Sequence, residues 1–205
     1  SSRESEAEQR IAEARGIAQS GEYARAAALL MEALAIDPNP SVARRAAQMA
    51  SAVEDWQKAA EAANIWLELE PDSRQARQIA TVAALRQGNV DRGVELLHVP
   101  LDDEDLSMQW NTAVALIAAS GSDDVANSAL ERLIDQSELF EPGYDDYLRS
   151  RLAWQLEHRE RAFELAQRAL QAGPDQERAL WAGRLAEARN LPERALAYYR
   201  QAAAF

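Results

Sequence analysis

One small residue recurs along the chain at a nearly constant interval, four to six positions after a turn. It is alanine in five places and glycine in one: Ala26, Ala59, Gly93, Ala126, Ala162 and Ala195. The intervals between these positions are 33, 34, 33, 36 and 33 residues. Such a period is typical of helix-turn-helix repeats, in which each pair of helices buries its apolar face against the next pair. The sequence therefore predicts six stacked helical hairpins.

The clearest copy of this unit spans residues 21–38, with the sequence GEYARAAALLMEALAIDP. Small side chains at Ala26 and Ala33 allow a neighbouring helix to approach closely, and Leu30 fills the remaining space. Pro38 prevents the helix from continuing. The segment is thus predicted to be the second helix of a hairpin.

Composition supports an all-helical chain and excludes several functions. Helix formers dominate, whereas Gly (8) and Pro (7) are sparse. A net charge of -12 argues against binding nucleic acid or an anionic membrane through a basic surface. The absence of cysteine excludes disulfide and thiol chemistry. No run approaches the roughly 20 apolar residues of a membrane span, and nothing groups a nucleophile with a base, so neither an enzyme nor a metal or cofactor site is expected.

The pattern resembles that of tetratricopeptide repeat (TPR) proteins. The first repeat carries the features of the family at Gly21, Tyr23, Ala26, Leu30, Ala33 and Pro38. The resemblance implies an all-α, right-handed α-solenoid forming one array. Its six repeats are expected at about 7–40, 41–73, 74–106, 107–141, 143–176 and 177–205.

The repeats depart from the family pattern at particular places. Trp66 stands where the pattern has alanine, and its ring is expected either to push the next helix outward or to fill a gap. Pro100 should end the second helix of the third repeat near His98. The sequence SELFEPG, residues 137–143, is predicted to be an extended linker. After Phe205 no polar capping helix follows, which predicts either a fragment of a longer array or self-association through that end.

In proteins of this family the first helix of each repeat lines a concave groove, and its outward positions contact ligands. Carried onto this chain, that implies a protein-binding face at Arg15, Arg44, Gln48, Gln78, Leu85, Asn111, Tyr144, Tyr147, Arg151, Trp154 and Arg184.

Four of these residues form the leading candidate site, because Tyr144, Tyr147, Arg151 and Trp154 share one helical face. Aromatic rings combined with an arginine are typical of protein-recognition surfaces. The alternative is that Tyr147 and Trp154 pack in the core.

Two other groups have simpler interpretations. Arg44, Gln48 and Gln78 partly resemble a clamp for a peptide carboxylate, although a solvated polar face explains them as well. The acidic residues 102–105 lack the spacing of a calcium loop and are expected to cap the helix near Leu106. His98 and His158 are expected to lie at helix ends or on the surface.

A closer resemblance concerns Gram-negative TPR lipoproteins, among them the outer-membrane adaptor of a periplasmic carboxyl-terminal processing protease. The shared sequences include WLELEP from Trp66 and LRQG from Leu85. The resemblance implies a lipidated cysteine just before Ser1, a periplasmic location at the outer membrane, and partners comprising the protease and cell-wall hydrolases. The alternatives are a cytoplasmic location and a structural scaffold that self-associates or assembles envelope machinery.

Overall fold

The structure is a computed structural model that describes residues 1–97, 106–139 and 141–205. Within these residues the chain forms twelve α-helices and no strand. In chain order they are α1 (Ser2–Gln19), α2 (Tyr23–Ile36), α3 (Pro40–Ala52), α4 (Trp56–Leu69), α5 (Arg74–Arg86), α6 (Val90–Leu97), α7 (Leu106–Ala118), α8 (Asp123–Ser137), α9 (Tyr144–Gln155), α10 (Arg159–Ala172), α11 (Gln176–Ala188) and α12 (Pro192–Ala203). The predicted all-α fold of consecutive helical hairpins is confirmed.

The first helices of several hairpins begin at side-chain caps. Asn39 Oδ1 accepts hydrogen bonds from the backbone N–H groups of Ser41 and Val42, at 2.9 and 3.3 Å, and Pro40 occupies the first helical turn. Ser73 Oγ caps α5 and Asp175 Oδ1 caps α11 in the same way. These bonds satisfy backbone donors that a helix start otherwise leaves without partners. Local sequence therefore determines where each of these helices starts.

The turn inside each hairpin contains one residue with a left-handed backbone. Three of these residues are glycines with φ between 76° and 82°, and the others have φ between 57° and 64°. In chain order they are Gly21, Glu54, Gly88, Gly121, Glu157 and Asn190. Each lies five positions before the recurring small residue, so all six hairpins close in the same way whether or not the turn contains glycine.

The recurring small residue is buried in all six hairpins. At Gly93 an added Cβ would lie 2.8 Å from Leu85 Cγ, closer than packed carbon atoms normally approach. Leu85 of α5 therefore occupies the space that a methyl group would need on α6. Leu85 itself is only 1% exposed, so its predicted place on the binding face is wrong.

Trp66 is also part of the core, being 3% exposed in the cluster that joins α1 to α6. Its Nε1–H donates to Glu70 Oε2 at 2.8 Å, which satisfies the polar atom of the ring. Of the two outcomes expected for this ring, the structure agrees with filling of a gap. The predicted helix end near His98 and Pro100, and the predicted cap at residues 102–105, lie outside the described residues.

The chain divides into two compact units, Ser1–His98 and Val99–Phe205. In the first, each helix packs against the next from α1 to α6; in the second, the closest packing is among α9, α10, α11 and α12. The prediction of a single array over residues 1–205 stays a prediction. Among the described residues no helix is both long and apolar enough to cross a membrane.

Gly93→Ala tests the close contact between α5 and α6. We expect it to lower the free energy of unfolding by about 1 to 2 kcal/mol, because overpacking against Leu85 outweighs the better helix propensity of alanine. Gly16→Ala is the matched control, since a Cβ there meets no atom within 4 Å. In α1 the same change should raise stability by about 0.5 to 1 kcal/mol. Urea unfolding measures both, and equal stabilisation by the two changes would contradict the contact.

Candidate interaction site

The four residues predicted to share a face on α9 do lie together in the second unit. The ring centroids of Tyr144 and Tyr147 are 5.5 Å apart, and Arg151 Cζ lies 5.9 Å from the Tyr147 centroid. Trp154 continues the face one turn later. Helical spacing alone brings these side chains to one side.

Trp181 of α11 lies at the centre of this group, and the sequence reasoning missed it. Its ring meets Tyr147 and Trp154 edge-on, with centroid separations of 6.4 and 6.2 Å. Arg151 Cζ lies 4.2 Å from the Trp181 centroid, so the guanidinium stacks on the ring. The position of Trp181 could have indicated this contact, because α9 and α11 are the first helices of consecutive repeats and are expected to be neighbours.

A chain of hydrogen bonds holds the Trp181 ring. Its Nε1–H donates to Ser150 Oγ at 2.8 Å, and the Ser150 hydroxyl donates to the carbonyl oxygen of Ala162 at 2.6 Å. Ser150 is fully buried. Because a buried polar group is costly to leave without a partner, these two bonds restrict how the indole can rotate. Trp181 is therefore a rigid platform for Arg151.

Burial separates the supporting residues of the group from the accessible ones. Tyr147 is 3% exposed and Trp181 is 8% exposed, so both rings belong to the core. Tyr147 therefore packs in the core, which is the alternative that the sequence analysis gave, and not on the binding face. Tyr144, Arg151 and Trp154 remain partly exposed. We refer to these three residues as the Arg151 surface.

Among the described residues, only aromatic rings hold the Arg151 guanidinium. It forms no hydrogen bond or ion pair with any residue that the structure describes. Arg149, two residues earlier, differs: its guanidinium meets Glu131 at 2.6 and 2.9 Å and also contacts Asp145 and Asp146 at 3.1 Å. The hydrogen-bonding capacity of Arg151 is thus available to a partner, whereas that of Arg149 is used within the fold.

One end of the Arg151 surface is polar. Ser107 Oγ donates to Glu177 Oε2 at 3.4 Å. Burial, and next the negative charges of Glu177 and Glu141, raise the pKa of Tyr144 to about 12. Burial also raises the pKa of Tyr147. Both tyrosines therefore remain neutral at physiological pH.

At the other end, the ring of Trp154 lies beneath Arg159, whose Cζ is 5.4 Å from the ring centroid. Trp154, Gln155, Glu157 and Arg159 line a shallow depression of about 350 Å³.

A buried arginine supports the helix that carries this surface. Arg178 is 2% exposed and contacts Glu141 Oε1 at 2.6 Å, Asp175 Oδ2 at 3.1 Å and the carbonyl oxygen of Gly173. Its Cζ also lies 5.5 Å from the centroid of Tyr144. Arg178 therefore joins the segment before α9 to the turn before α11, a connection between distant parts of the sequence that local patterns do not reveal.

The other predicted site residues do not join this group. Arg44, Gln48 and Gln78 belong to the first unit, where the first two are exposed and Gln78 is partly buried. Asn111 is partly buried on α7, and Arg184 is exposed on α11. Their role in binding stays a prediction. His158 is exposed at the start of α10, and its Nε2 lies 2.6 Å from Asp123 Oδ2, a pairing that sequence reasoning also missed.

The described residues contain no cluster of histidine, aspartate or glutamate side chains arranged to hold a metal ion. Arginine and aromatic rings instead provide a surface for hydrogen-bonding and stacking contacts.

Several solved structures resemble the chain at low identity. MamA from Desulfovibrio magneticus RS-1 is 14% identical over 96% of this chain and 93% of that chain, with a TM-score of 0.41. PilW, described as a type IV pilus biogenesis factor, is 17% identical over 95% of this chain and 91% of that chain, with a TM-score of 0.42. A tetratricopeptide repeat protein from Parabacteroides merdae is 14% identical over 98% of this chain and 93% of that chain, with a TM-score of 0.39.

The sequence matches no protein-family profile and no curated protein. With TM-scores this low, the fold assignment rests on the helical hairpins of the chain itself.

Ser150→Ala tests whether the hydrogen-bond chain holds Trp181. Removing the hydroxyl leaves the indole N–H without its acceptor and should lower the free energy of unfolding by about 1 to 3 kcal/mol. The Trp181→Phe variant has no such N–H. In this variant, Ser150→Ala should therefore lower the free energy of unfolding by at least about 0.5 kcal/mol less than it does in the wild type. Urea unfolding of the two single variants and the double variant measures this coupling. Strict additivity would show that the bond contributes nothing.

The stability of the second unit should decrease at alkaline pH. The pKa of Tyr144 rises from 10.0 to about 12 in the folded chain. The unfolded chain therefore loses the Tyr144 proton first. The stabilisation that the protonated hydroxyl provides to the folded chain is complete below pH 10 and is lost as the pH rises towards 12. Tyr144→Phe should flatten the fall in unfolding free energy over this range. Identical pH profiles for wild type and Tyr144→Phe would contradict the burial of this hydroxyl.

Proposed function

We propose that the chain is a non-catalytic protein–protein interaction scaffold and that the Arg151 surface receives a carboxylate-bearing segment of a partner. The observation that carries this proposal is the stacking of Arg151 on Trp181 at 4.2 Å without an ion pair among the described residues. Stacked repeats of helical hairpins use extended surfaces for binding. This arrangement supplies one such surface with a defined chemistry.

The geometry favours a carboxylate because of where the free donors lie. A guanidinium stacked face-on against an indole keeps its N–H groups at the edge of its plane, where they can meet both oxygens of a carboxylate. The stack also reduces the conformational freedom that Arg151 would lose on binding. Trp154 and Tyr144 add aromatic area on either side, so the preferred segment pairs an acidic residue with an apolar one.

The finer proposal is an envelope adaptor that brings cell-wall hydrolases to a periplasmic processing protease. It is supported by the resemblance of residues around Trp66 and Leu85 to Gram-negative lipoproteins of that type. The scaffold would act by raising the effective concentration of one partner near the other. A periplasmic location, with or without a lipid anchor, belongs to this proposal.

Site-specific photo-crosslinking tests the surface directly. A photoreactive amino acid replaces Trp154, the full chain is incubated with a cell-envelope extract, and cross-linked proteins are identified by mass spectrometry. We expect a processing protease or a cell-wall hydrolase, with recovery reduced at least about tenfold by Arg151→Gln through loss of a charge-assisted contact. Arg200→Gln is the matched control, because Arg200 is exposed on α12 and is not among the predicted site residues.

Other outcomes would contradict the proposal. Equal losses from Arg151→Gln and Arg200→Gln would indicate non-specific charge, and cross-links unaffected by either change would show that Arg151 does not contribute to binding. If the chain cross-links mainly to itself and light scattering shows a concentration-dependent oligomer, the alternative of a self-associating assembly scaffold replaces the adaptor. A monomer at high concentration would exclude that alternative.

A further inference from the structure

The contact between Arg151 and Trp181 joins two helices, because Arg151 belongs to α9 and Trp181 to α11. The separation of the guanidinium and the indole therefore depends on how α9 is oriented against α11. The hydrogen bond from Trp181 to Ser150 attaches the middle of α9 to α11. Because a single attachment leaves a helix free to pivot, the orientation of α9 also depends on how its start is held.

The backbone at the start of α9 passes very close to the end of α10 and the turn before α11. A Cβ added to Gly173 would overlap the carbonyl oxygen of Pro142, and one added to Gly143 would overlap that of Ala169. Gly143 also has a left-handed backbone, with a φ of 82°. Glycine at these two positions thus allows a direct contact between the two backbone segments.

The side chain of Arg178 spans this backbone contact. Its guanidinium donates to the carbonyl oxygen of Gly173 on one side and to Glu141 Oε1, at 2.6 Å, on the other. The side chain of Arg178 is 3% exposed, whereas that of Glu141 is 60% exposed. Because a buried charge is costly to leave without a partner, Arg178 holds the segment that carries Glu141.

Aromatic contacts continue from Arg178 to Arg151. Arg178 Cζ lies 5.5 Å from the ring centroid of Tyr144, which lies 5.5 Å from that of Tyr147. The Tyr147 ring in turn contacts both Arg151 and Trp181, at 5.9 and 6.4 Å. A displacement of the start of α9 is therefore passed on to the stack through rings that touch one another.

We propose that Arg178 is a positioning residue for the Arg151 surface: it fixes the start of α9 against α11 and so keeps Arg151 stacked on Trp181 before a partner binds. At about 1.5 Å per residue, its contact with Tyr144 lies about 9 Å along α9 from the attachment at Ser150. Two attachments at this separation prevent the helix from pivoting. In the proposed function, on which this inference rests, a residue too buried to touch the partner then controls binding, because it pre-organises the guanidinium.

The test changes Glu141, which is exposed. Arg178 keeps Asp175 as a partner in Glu141→Ala, so this variant should fold, but the start of α9 should move more freely. Glu131→Ala is the matched control, because it removes an ion pair with Arg149 that links α9 to α8 and not to α11. Urea unfolding shows whether both variants are folded.

NMR spectroscopy of the full chain, without a partner, reports on the stack. The Trp181 ring should shift the Nε–H proton of Arg151 upfield of its position in an unstructured arginine, and the resonance is assigned by its absence in Arg151→Gln. Glu141→Ala should move this resonance towards the unstructured position, whereas Glu131→Ala should leave it unchanged. In photo-crosslinking from position 154, Glu141→Ala should lower recovery about two- to tenfold, as expected when one long side chain must be ordered on binding, and Glu131→Ala should not lower it.

The remaining outcomes would overturn the inference. An unchanged Arg151 resonance in Glu141→Ala would show that Arg178 does not position the stack, and an equal change in Glu131→Ala would show a general loosening of α9. A changed resonance with unchanged cross-linking would separate the stack from binding. If nothing cross-links to the wild-type chain, the proposed function fails, whereas the NMR result still decides whether Arg178 positions Arg151.

Discussion

Close packing between small side chains is the constraint on which the fold depends. The recurring small residue is buried in all six hairpins, and close packing of this kind leaves little room for a larger side chain. Gly93 shows the limiting case, since Leu85 leaves too little room there even for a methyl group. Gly183 is similar, because an added Cβ would lie 2.5 Å from Tyr199 Cε1. Trp66 stands where the family pattern has alanine, and its ring is buried in the core of the first unit.

The parts of the structure that depend on short stretches of sequence were predictable. The period of the small residue predicted the hairpins, and helical spacing brought Tyr144, Arg151 and Trp154 to one face of α9. The packing of Trp181 on Arg151 was not predictable in this way, because it joins side chains of two different repeats. The same reason applies to the contact of Arg178 with Glu141 and to that of His158 with Asp123. Leu85 was misplaced because its side chain packs against Gly93 of the next helix, a contact that the family pattern does not reveal.

Arginine performs several distinct tasks in this acidic chain, which contains a single lysine. Arg149 links α8 to α9 through carboxylates, Arg178 joins two loops from a buried position, and Arg151 stacks on an aromatic ring. Each task uses the planar, multiply donating guanidinium, for which the point charge of lysine is a poor substitute. Arg151 differs from Arg149 and Arg178 because its guanidinium has no carboxylate partner among the described residues.

The six left-handed turns have a consequence for how the chain is made. Each turn closes a hairpin whose two helices are adjacent in sequence, and within the first unit every helix also packs against the one that follows it. Contacts of such short sequence separation form quickly and do not require the end of the chain. During synthesis, each hairpin of that unit can therefore dock on the preceding one soon after it leaves the ribosome. The chain can thus cover its apolar faces progressively, while most of it has yet to be translated.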